Sequence, residues 1–184
     1  GATALQLGSS RGCDFCVINR ITIDNYNFPS LVDQQNTKIF YVTVVGQDMT
    51  VSNSTFTNMT NFGQMLGAYN PPPNDQPQRL HILNNIFKNR TFPINKNGNE
   101  VIQIGWSGVG AVSFNSIIEN NRFEEVVAAG ENEVISIKGS DVIIRDNIFQ
   151  SNLGVLSLRA GNNALVESNT FDGTGNAGMG GIGV

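Results

Sequence analysis

The chain has 184 residues and a formal net charge of −4, with 11 basic residues against 15 acidic ones. This length fits one domain, and an acidic chain with few charges lacks the basic stripe that a nucleic-acid surface requires. No apolar run approaches the roughly 18 residues of a membrane span. The N-terminal residues show no basic-then-apolar signal layout, so we expect no nucleic-acid binding, no membrane span and an export signal that is already removed.

The pattern of apolar residues predicts many short strands. The chain is rich in asparagine and contains 20 glycines, and its apolar residues fall in short runs such as 42–45 and 134–137. Runs of this kind, bounded by turn-forming residues, are typical of β-strands. Near the N-terminus, Cys13 and Cys16 form a lone CxxC pair, which is a weak zinc signal without a second pair or a nearby histidine. Buried thiols or one local disulfide are the interpretations that we favour.

One motif recurs along the chain at intervals of two to three dozen residues. An Asn, Asp or Ser, then one or two variable residues and a phenylalanine, close a β-branched run. The closing residues are Phe28, Phe56, Phe87, Phe123, Phe149 and Phe171. A second type of strand begins at Val101, Val134 and Val155. Each unit is too small to bury its own apolar face, so the units must stack on one another.

The repeat predicts an all-β fold in which residues 1–184 form a single right-handed parallel β-helix of about seven coils. With coils about 4.8 Å apart, Phe should lie over Phe inside, and Asn over Asn at the bends. Residues 1–8 and 178–184 begin and stop in mid-pattern. We therefore expect either a longer polypeptide or neighbouring chains that stack end to end.

A cluster of charged residues is predicted on one face of adjacent coils. Aligning VISIKG with VLSLRAG places Lys138 directly opposite Arg159, with both side chains pointing to solvent. Two adjacent cations repel, which favours the neutral, basic form of the lysine and a nearby anion. Glu131 and Glu133 lie just upstream, and Asn97 lies in the matching place on the preceding coil. Such oxygen ligands suit Ca²⁺, which together with the cations would bind a substrate carboxylate.

The run ExExISxK from Glu131 to Lys138, with LRxG one coil later and NGNExxxIG before it, resembles the chondroitinase B and alginate lyase family of polysaccharide lyases. The resemblance covers residues 21–184 and implies a right-handed parallel β-helix. It also implies β-elimination on an acidic, alginate-like uronate polysaccharide. Lys138 would remove the C5 proton, and Arg159 would act as the acid or charge stabiliser at the leaving oxygen. Asn97, Glu131 and Glu133 would hold Ca²⁺, with Asn99 as the alternative to Asn97, in an extracellular, secreted or periplasmic protein.

The chain also departs from the family pattern. Ala160 replaces a histidine, Gln103 and Gly183 replace arginines, and Gly139 replaces the serine that usually follows the lysine. The lost cations support a second hypothesis, a non-catalytic extracellular structural or adhesive β-helix that derives from a lyase and assembles end to end.

Two further sets of residues allow alternative interpretations. Trp106 and Tyr69 either stack on sugars or cover strand ends. Glycosylation sequons begin at Asn53, Asn58 and Asn89 and suggest a glycoprotein, although chance alone gives about as many in so asparagine-rich a chain. Asn53 falls at a predicted turn, where a glycan would disrupt the stack of coils, whereas the other two follow the turn.

Overall fold

The computed structural model describes residues 2–8, 12–69, 76–92, 95–108, 111–128, 133–176 and 178–184. Within these ranges there are one short helix and many short strands. The helix is not long and apolar enough to cross a membrane. The elements are β1 (Ala2–Leu7), β2 (Val17–Asn19), β3 (Thr22–Asp24), α1 (Leu31–Asn36), β4 (Ile39–Val44), β5 (Thr50–Ser52), β6 (Thr55–Thr57), β7 (Gly63–Ala68), β8 (His81–Leu83), β9 (Ile86–Phe92), β10 (Ile102–Gly105), β11 (Ser113–Glu119), β12 (Arg122–Ala128), β13 (Glu133–Lys138), β14 (Ser140–Arg145), β15 (Ile148–Gln150), β16 (Gly154–Ala160), β17 (Leu165–Glu167), β18 (Thr170–Asp172) and β19 (Met179–Gly183).

Successive strands join three parallel sheets in turn, so that each of the first six coils contributes one strand to each sheet and the seventh contributes β19 to sheet 1. Sheet 1 has seven strands in the order β1-β4-β7-β10-β13-β16-β19. Sheet 2 (β17-β14-β11-β8-β5-β2) and sheet 3 (β18-β15-β12-β9-β6-β3) have six strands each. The predicted right-handed parallel β-helix of about seven coils is therefore confirmed.

Aromatic stacking along sheet 3 holds successive coils in register. The stacked rings have centroids 4.6–5.2 Å apart and belong to Phe56, Phe87, Phe123, Phe149 and Phe171. The prediction for Phe28 is wrong, because Ile23 pairs with Phe56 in the register of β3 and β6. In the first coil Ile23 occupies the position that phenylalanine occupies in the later coils. Phe28, which matches the phenylalanine motif, lies after the end of β3.

A ladder of buried asparagines follows the bend between sheets 2 and 3, as predicted. The backbone N–H of Asn85 donates to Oδ1 of Asn121 at 2.9 Å. In the same way, the N–H of Asn121 donates to Oδ1 of Asn147 and the N–H of Asn147 donates to Oδ1 of Asn169, both at 3.0 Å. The residue before each asparagine has a φ of 54–56°, a left-handed conformation that short polar residues tolerate best. The ladder thereby satisfies polar groups that the bend buries.

The CxxC pair forms a local disulfide between Cys13 and Cys16. The backbone N–H of Cys13 donates to the carbonyl of Val45 at 2.9 Å, which ties this loop to the next coil. Of the alternatives that the sequence leaves open, the structure therefore contains the local bridge.

The three sequon asparagines contribute their side-chain amides to contacts between coils. Asn53 donates to Asn19, Asn58 donates to Asp24, and Asn89 donates to Asn58, at 2.8–3.2 Å. A glycan would be attached to the same amide nitrogens, so all three sites, and not Asn53 alone, would lose a contact on modification. Glycosylation stays a prediction.

Candidate active site

A pocket of about 240 Å³ lies on the outer face of sheet 1. It is lined by Lys38, Tyr69, Asn97, Gly98, Gln103, Trp106, Ser107, Lys138 and Arg159. Within the described part of the chain, three cations and no carboxylate line it. Cationic side chains that line a pocket favour an anionic ligand.

Five consecutive strands of sheet 1 bring the lining residues together. Lys38 precedes β4, Tyr69 follows β7, Gln103 lies in β10, Lys138 ends β13 and Arg159 lies in β16. Because adjacent strands are about 4.8 Å apart, these five strands span roughly 19 Å along the stack. Residues that are distant in the chain thus share one surface, as the alignment of the repeats predicts.

The register at Lys138 differs from the prediction. Ile137 pairs with Leu158, but the pairing then shifts, so that Lys138 lies opposite Ala160 and not Arg159. An irregularity of this kind leaves one residue unpaired and re-aims its neighbours. Lys138 is also buried, with 5% exposure, although the alternation of the strand predicts a side chain in solvent. Both cations nevertheless line the same pocket.

Lys138 is buried because it forms an ion pair with Glu100. The Nζ atom lies 2.9 Å from Oε1 of Glu100, a fully buried carboxylate, and Gln64 donates to its Oε2 at 2.7 Å. Burial raises the pKa of Glu100, but the Lys138 ammonium and the hydrogen bonds outweigh it and lower the pKa to about 2. Glu100 is not among the site residues that the sequence predicts. The available signal was a carboxylate within the NGNE run, on the coil before Lys138.

Gln103, which replaces a family arginine, is anchored within the sheet. Its amide nitrogen donates to the carbonyl of Gly105 at 2.8 Å, and its oxygen accepts from Gln64. Ser136 lies next to Gln103 in the register, and its hydroxyl is buried without a hydrogen-bond partner. A side chain fixed in this way keeps polar atoms in the pocket without adding charge.

Arg159 and Glu133 form the second charged pair of the site. Nη1 of Arg159 lies 3.7 Å from Oε2 of Glu133, a carboxylate that is nearly buried. That oxygen accepts no hydrogen bond from any residue that the structure describes. A buried carboxylate oxygen without a donor is unfavourable unless a cation compensates it, and its chemistry fits a hard divalent ion.

The structure places two of the three predicted metal ligands, Asn97 in the pocket lining and Glu133 beneath Arg159. Glu131 lies outside the described residues. Among the described residues, no group of three or more acidic, histidine or cysteine side chains could hold a metal ion by itself.

The side chain of Asn99 is used in hydrogen bonds within the fold, which favours Asn97 over Asn99 as the metal ligand. Its amide nitrogen donates to the carbonyl of Lys96 at 2.7 Å. Its oxygen accepts from the Gly63 N–H and from the fully buried Arg90, both at 3.2 Å. Asn97 instead lines the pocket, where its amide can reach a ligand.

Two aromatic residues form one side of the pocket. The rings of Tyr69 and Trp106 are tilted, with centroids 5.5 Å apart, and Trp106 is 42% exposed. An exposed indole face beside cations is a surface on which a sugar ring can stack. The interpretation as sugar-stacking residues therefore remains a proposal for both.

The glycine after Lys138 is explained by packing. A Cβ atom at Gly139 would lie 2.2 Å from two ring carbons of Phe114, which is 1% exposed. The aromatic ring thus occupies the space that the serine usual in the family would need. Gly139 also precedes Ser140, the first residue of β14, so the close approach sets the corner between sheets 1 and 2.

We expect Gly139→Ser to lower the free energy of unfolding by about 1–3 kcal/mol, because a packed core must shift to admit the side chain. Urea unfolding followed by circular dichroism measures the change. Gly181→Ser is the matched control, since a Cβ atom there has nothing within 4 Å. In a Phe114→Ala background, Gly139→Ser should lower the free energy of unfolding much less than it does when Phe114 is present. Equal losses for the two glycine variants would contradict this explanation.

Known proteins with the same fold show the family to which the chain belongs. The Chondroitinase B family profile matches residues 9–184, so the chain belongs to that family. A mannuronic acid specific polysaccharide family 6 lyase from human gut microbiota shares 29% identity, with a TM-score of 0.85 over 99% of this chain and 41% of its own. The PL6 family alginate lyase AlyGC shares 30% identity, with a TM-score of 0.81 over 91% of this chain and 22% of its own.

Two further comparisons give no additional information about function. A PL6 family polysaccharide lyase from Pseudopedobacter saltans, at 21% identity and a TM-score of 0.80 over 98% of this chain and 40% of its own, supports the fold alone. No curated protein matches the chain significantly. The chain spans less than half the length of each of these three lyases.

Proposed function

We propose that this chain carries the active site of a polysaccharide lyase that cleaves an acidic, alginate-like uronate polymer by β-elimination. The observation that carries the proposal is a pocket that is lined by Lys138 and Arg159 from adjacent strands and by no described carboxylate. The names of two relatives, an alginate lyase and a mannuronic acid specific lyase, support an acidic polysaccharide as the substrate.

The proposed reaction assigns one proton transfer to each cation. Once the Lys138 ammonium has lost its own proton to solvent, the neutral amine removes the proton at C5 of a uronate residue, and the electrons of that bond form a double bond between C4 and C5. The bond from C4 to the glycosidic oxygen breaks, and Arg159 stabilises the leaving oxygen or donates a proton to it. Glu100 and Gln64 hold the lysine side chain in the pocket between reactions.

Asn97, Glu131 and Glu133 would hold a Ca²⁺ ion. The donor set is an amide and two carboxylates, and it is supported by Oε2 of Glu133, which is buried and accepts no hydrogen bond from the described residues. When bound, the ion would neutralise the uronate carboxylate and stabilise the negative charge that develops as C5 loses its proton.

Digestion of alginate tests the function. We expect the unsaturated product to absorb in the near ultraviolet, a calcium-selective chelator to suppress its formation, and added Ca²⁺ to restore it. Neutral polysaccharides of similar length serve as the control substrate, because they lack the acidifying carboxylate at C5. Absence of cleavage for every uronate polymer, with Ca²⁺ present and the chain folded, would reject the proposal.

The rival function is a non-catalytic extracellular β-helix that assembles end to end. The buried ion pair of Lys138 and the anchored, uncharged Gln103 favour it, since both stabilise the fold without chemistry. Large assemblies in light scattering, together with no cleavage, would support this function. Under either function we propose an extracellular or periplasmic location, since the Cys13–Cys16 disulfide fits an oxidising compartment.

A further inference from the structure

Lys38 brings a cation into the pocket from outside the predicted site. The residue immediately precedes β4, whereas Lys138 ends β13, three strands further along sheet 1. Its ammonium lies 5.1 Å from the ring centroid of Phe40 and 5.8 Å from that of Phe62. Contacts of this kind favour a charged group and hold the flexible side chain in place.

Gly98 allows the Lys38 ammonium to reach the coil of β10. A Cβ atom at Gly98 would lie 2.9 Å from Nζ of Lys38, and the φ of Gly98 is 98°. Any other residue at this position would therefore strain the backbone and displace the ammonium. The absence of a side chain places the charge of Lys38 beside Asn97, in the lining of the same pocket.

The remaining lining between Lys38 and Lys138 suits a chain of sugar rings. Tyr69 and Trp106 follow β7 and β10, the two strands between β4 and β13. Arg159 occupies the opposite end of the lining from Lys38 in the order of strands. The strand spacing of about 4.8 Å is close to the advance per residue of an extended uronate polymer, so successive carboxylates can meet successive coils.

We propose that Lys38 binds the carboxylate of a second uronate residue, on the β4 side of the residue that reacts, with Tyr69 and Trp106 supporting the sugar rings between them. This inference rests on the proposed function, because it assumes that Lys138 and Arg159 act on the same polymer. At one sugar residue per strand spacing, this second uronate lies about three residues from the one that reacts, so the pocket selects polymers that carry charge at that separation.

Calorimetric titration with oligomers of mannuronic acid tests the subsite, and Lys138→Arg provides a background in which the oligomers are not consumed. Lys38→Ala in that background should weaken binding of a tetramer about tenfold, in keeping with the loss of one charge-assisted hydrogen bond. Binding of a dimer, which is too short to extend from Arg159 to Lys38, should be unchanged. The tetramer preference should also shrink as salt is added.

Lys96→Ala is the matched control, since its ammonium lies 4.4 Å from the Phe62 centroid but does not line the pocket. It should leave both affinities unchanged. Equal weakening by the two alanine variants, or equal weakening of the dimer and the tetramer by Lys38→Ala, would overturn the subsite while leaving the lyase function intact. Failure of the Lys138→Arg chain and of the unsubstituted chain to bind any oligomer would overturn both.

Discussion

Replacement of Lys138 by arginine is expected to abolish β-elimination while the fold is retained. A guanidinium can pair with Glu100 in place of the ammonium, but it stays protonated at any accessible pH and cannot accept the C5 proton. General bases contribute about 10²–10⁴-fold to rate, so the rate of product formation should fall at least about a hundredfold. The absorbance of the unsaturated product measures activity, and urea unfolding measures stability.

Lys88→Arg is the control for this substitution, because Lys88 lies on β9 of sheet 3 and not on sheet 1. Its activity should match that of the unsubstituted chain. The buried site of Lys138 leaves little room for a larger side chain, so a second variant combines Lys138→Met with Glu100→Gln and removes both charges together. Full activity in either folded Lys138 variant would exclude Lys138 as the base.

The second large effect is expected for Glu100. Its carboxylate is fully buried, pairs with Lys138 at 2.9 Å and interacts electrostatically with the buried Arg90. Glu100→Ala leaves these cations without compensation, and loss of one partner of a buried pair costs about 3–5 kcal/mol. Urea unfolding at neutral pH measures the loss. Combining Glu100→Gln with Lys138→Met should cost less than Glu100→Ala, because only Arg90, and not Lys138 as well, then loses the compensating carboxylate.

Glu119→Gln is the control, since Glu119 forms a partly exposed pair with Arg145 at 2.6 Å. Such surface pairs contribute about 0–1 kcal/mol, so the control should lose far less stability than Glu100→Ala. Similar losses for Glu100→Ala and the control would show that the Glu100 pair does not stabilise the fold.

The same pair predicts an acid-dependent loss of stability. The pKa of Glu100 falls from its ordinary value of 4.5 to about 2 in the folded chain, so the unfolded chain binds the proton more readily. Its contribution to stability is therefore present above pH 4.5 and is lost as the pH falls toward 2. The variant that lacks both charges should show a shallower decline over this range. Parallel declines in the two proteins would contradict the assignment.

The site was only partly predictable from the sequence. Lys138 and Arg159 could be paired because the two strands repeat the same pattern one coil apart, so their alignment carries information about contact. Gln64 and Lys38 belong to coils whose loops differ in length, and no repeated pattern relates them to Lys138. Glu100 lies in an Asn-Glu-Val-Ile run that recurs at Glu133 on the coil of Lys138, but this repeat does not indicate that its carboxylate pairs with the lysine. The burial of Lys138 also escaped prediction, because alternation assigns a side of the strand but does not indicate which partner a long side chain will find.

The sequence by itself determined the architecture, because repeated strands and turn asparagines can bury their apolar faces only by stacking, and this holds whatever the loops do. It also determined that Lys138 and Arg159 lie on neighbouring strands. Only the tertiary structure decided how those charges are used. The pairing of Lys138 with Glu100, the shifted register at Ala160 and the reach of Lys38 over Gly98 depend on side-chain packing and local register, which act between coils and leave no periodic trace in the chain.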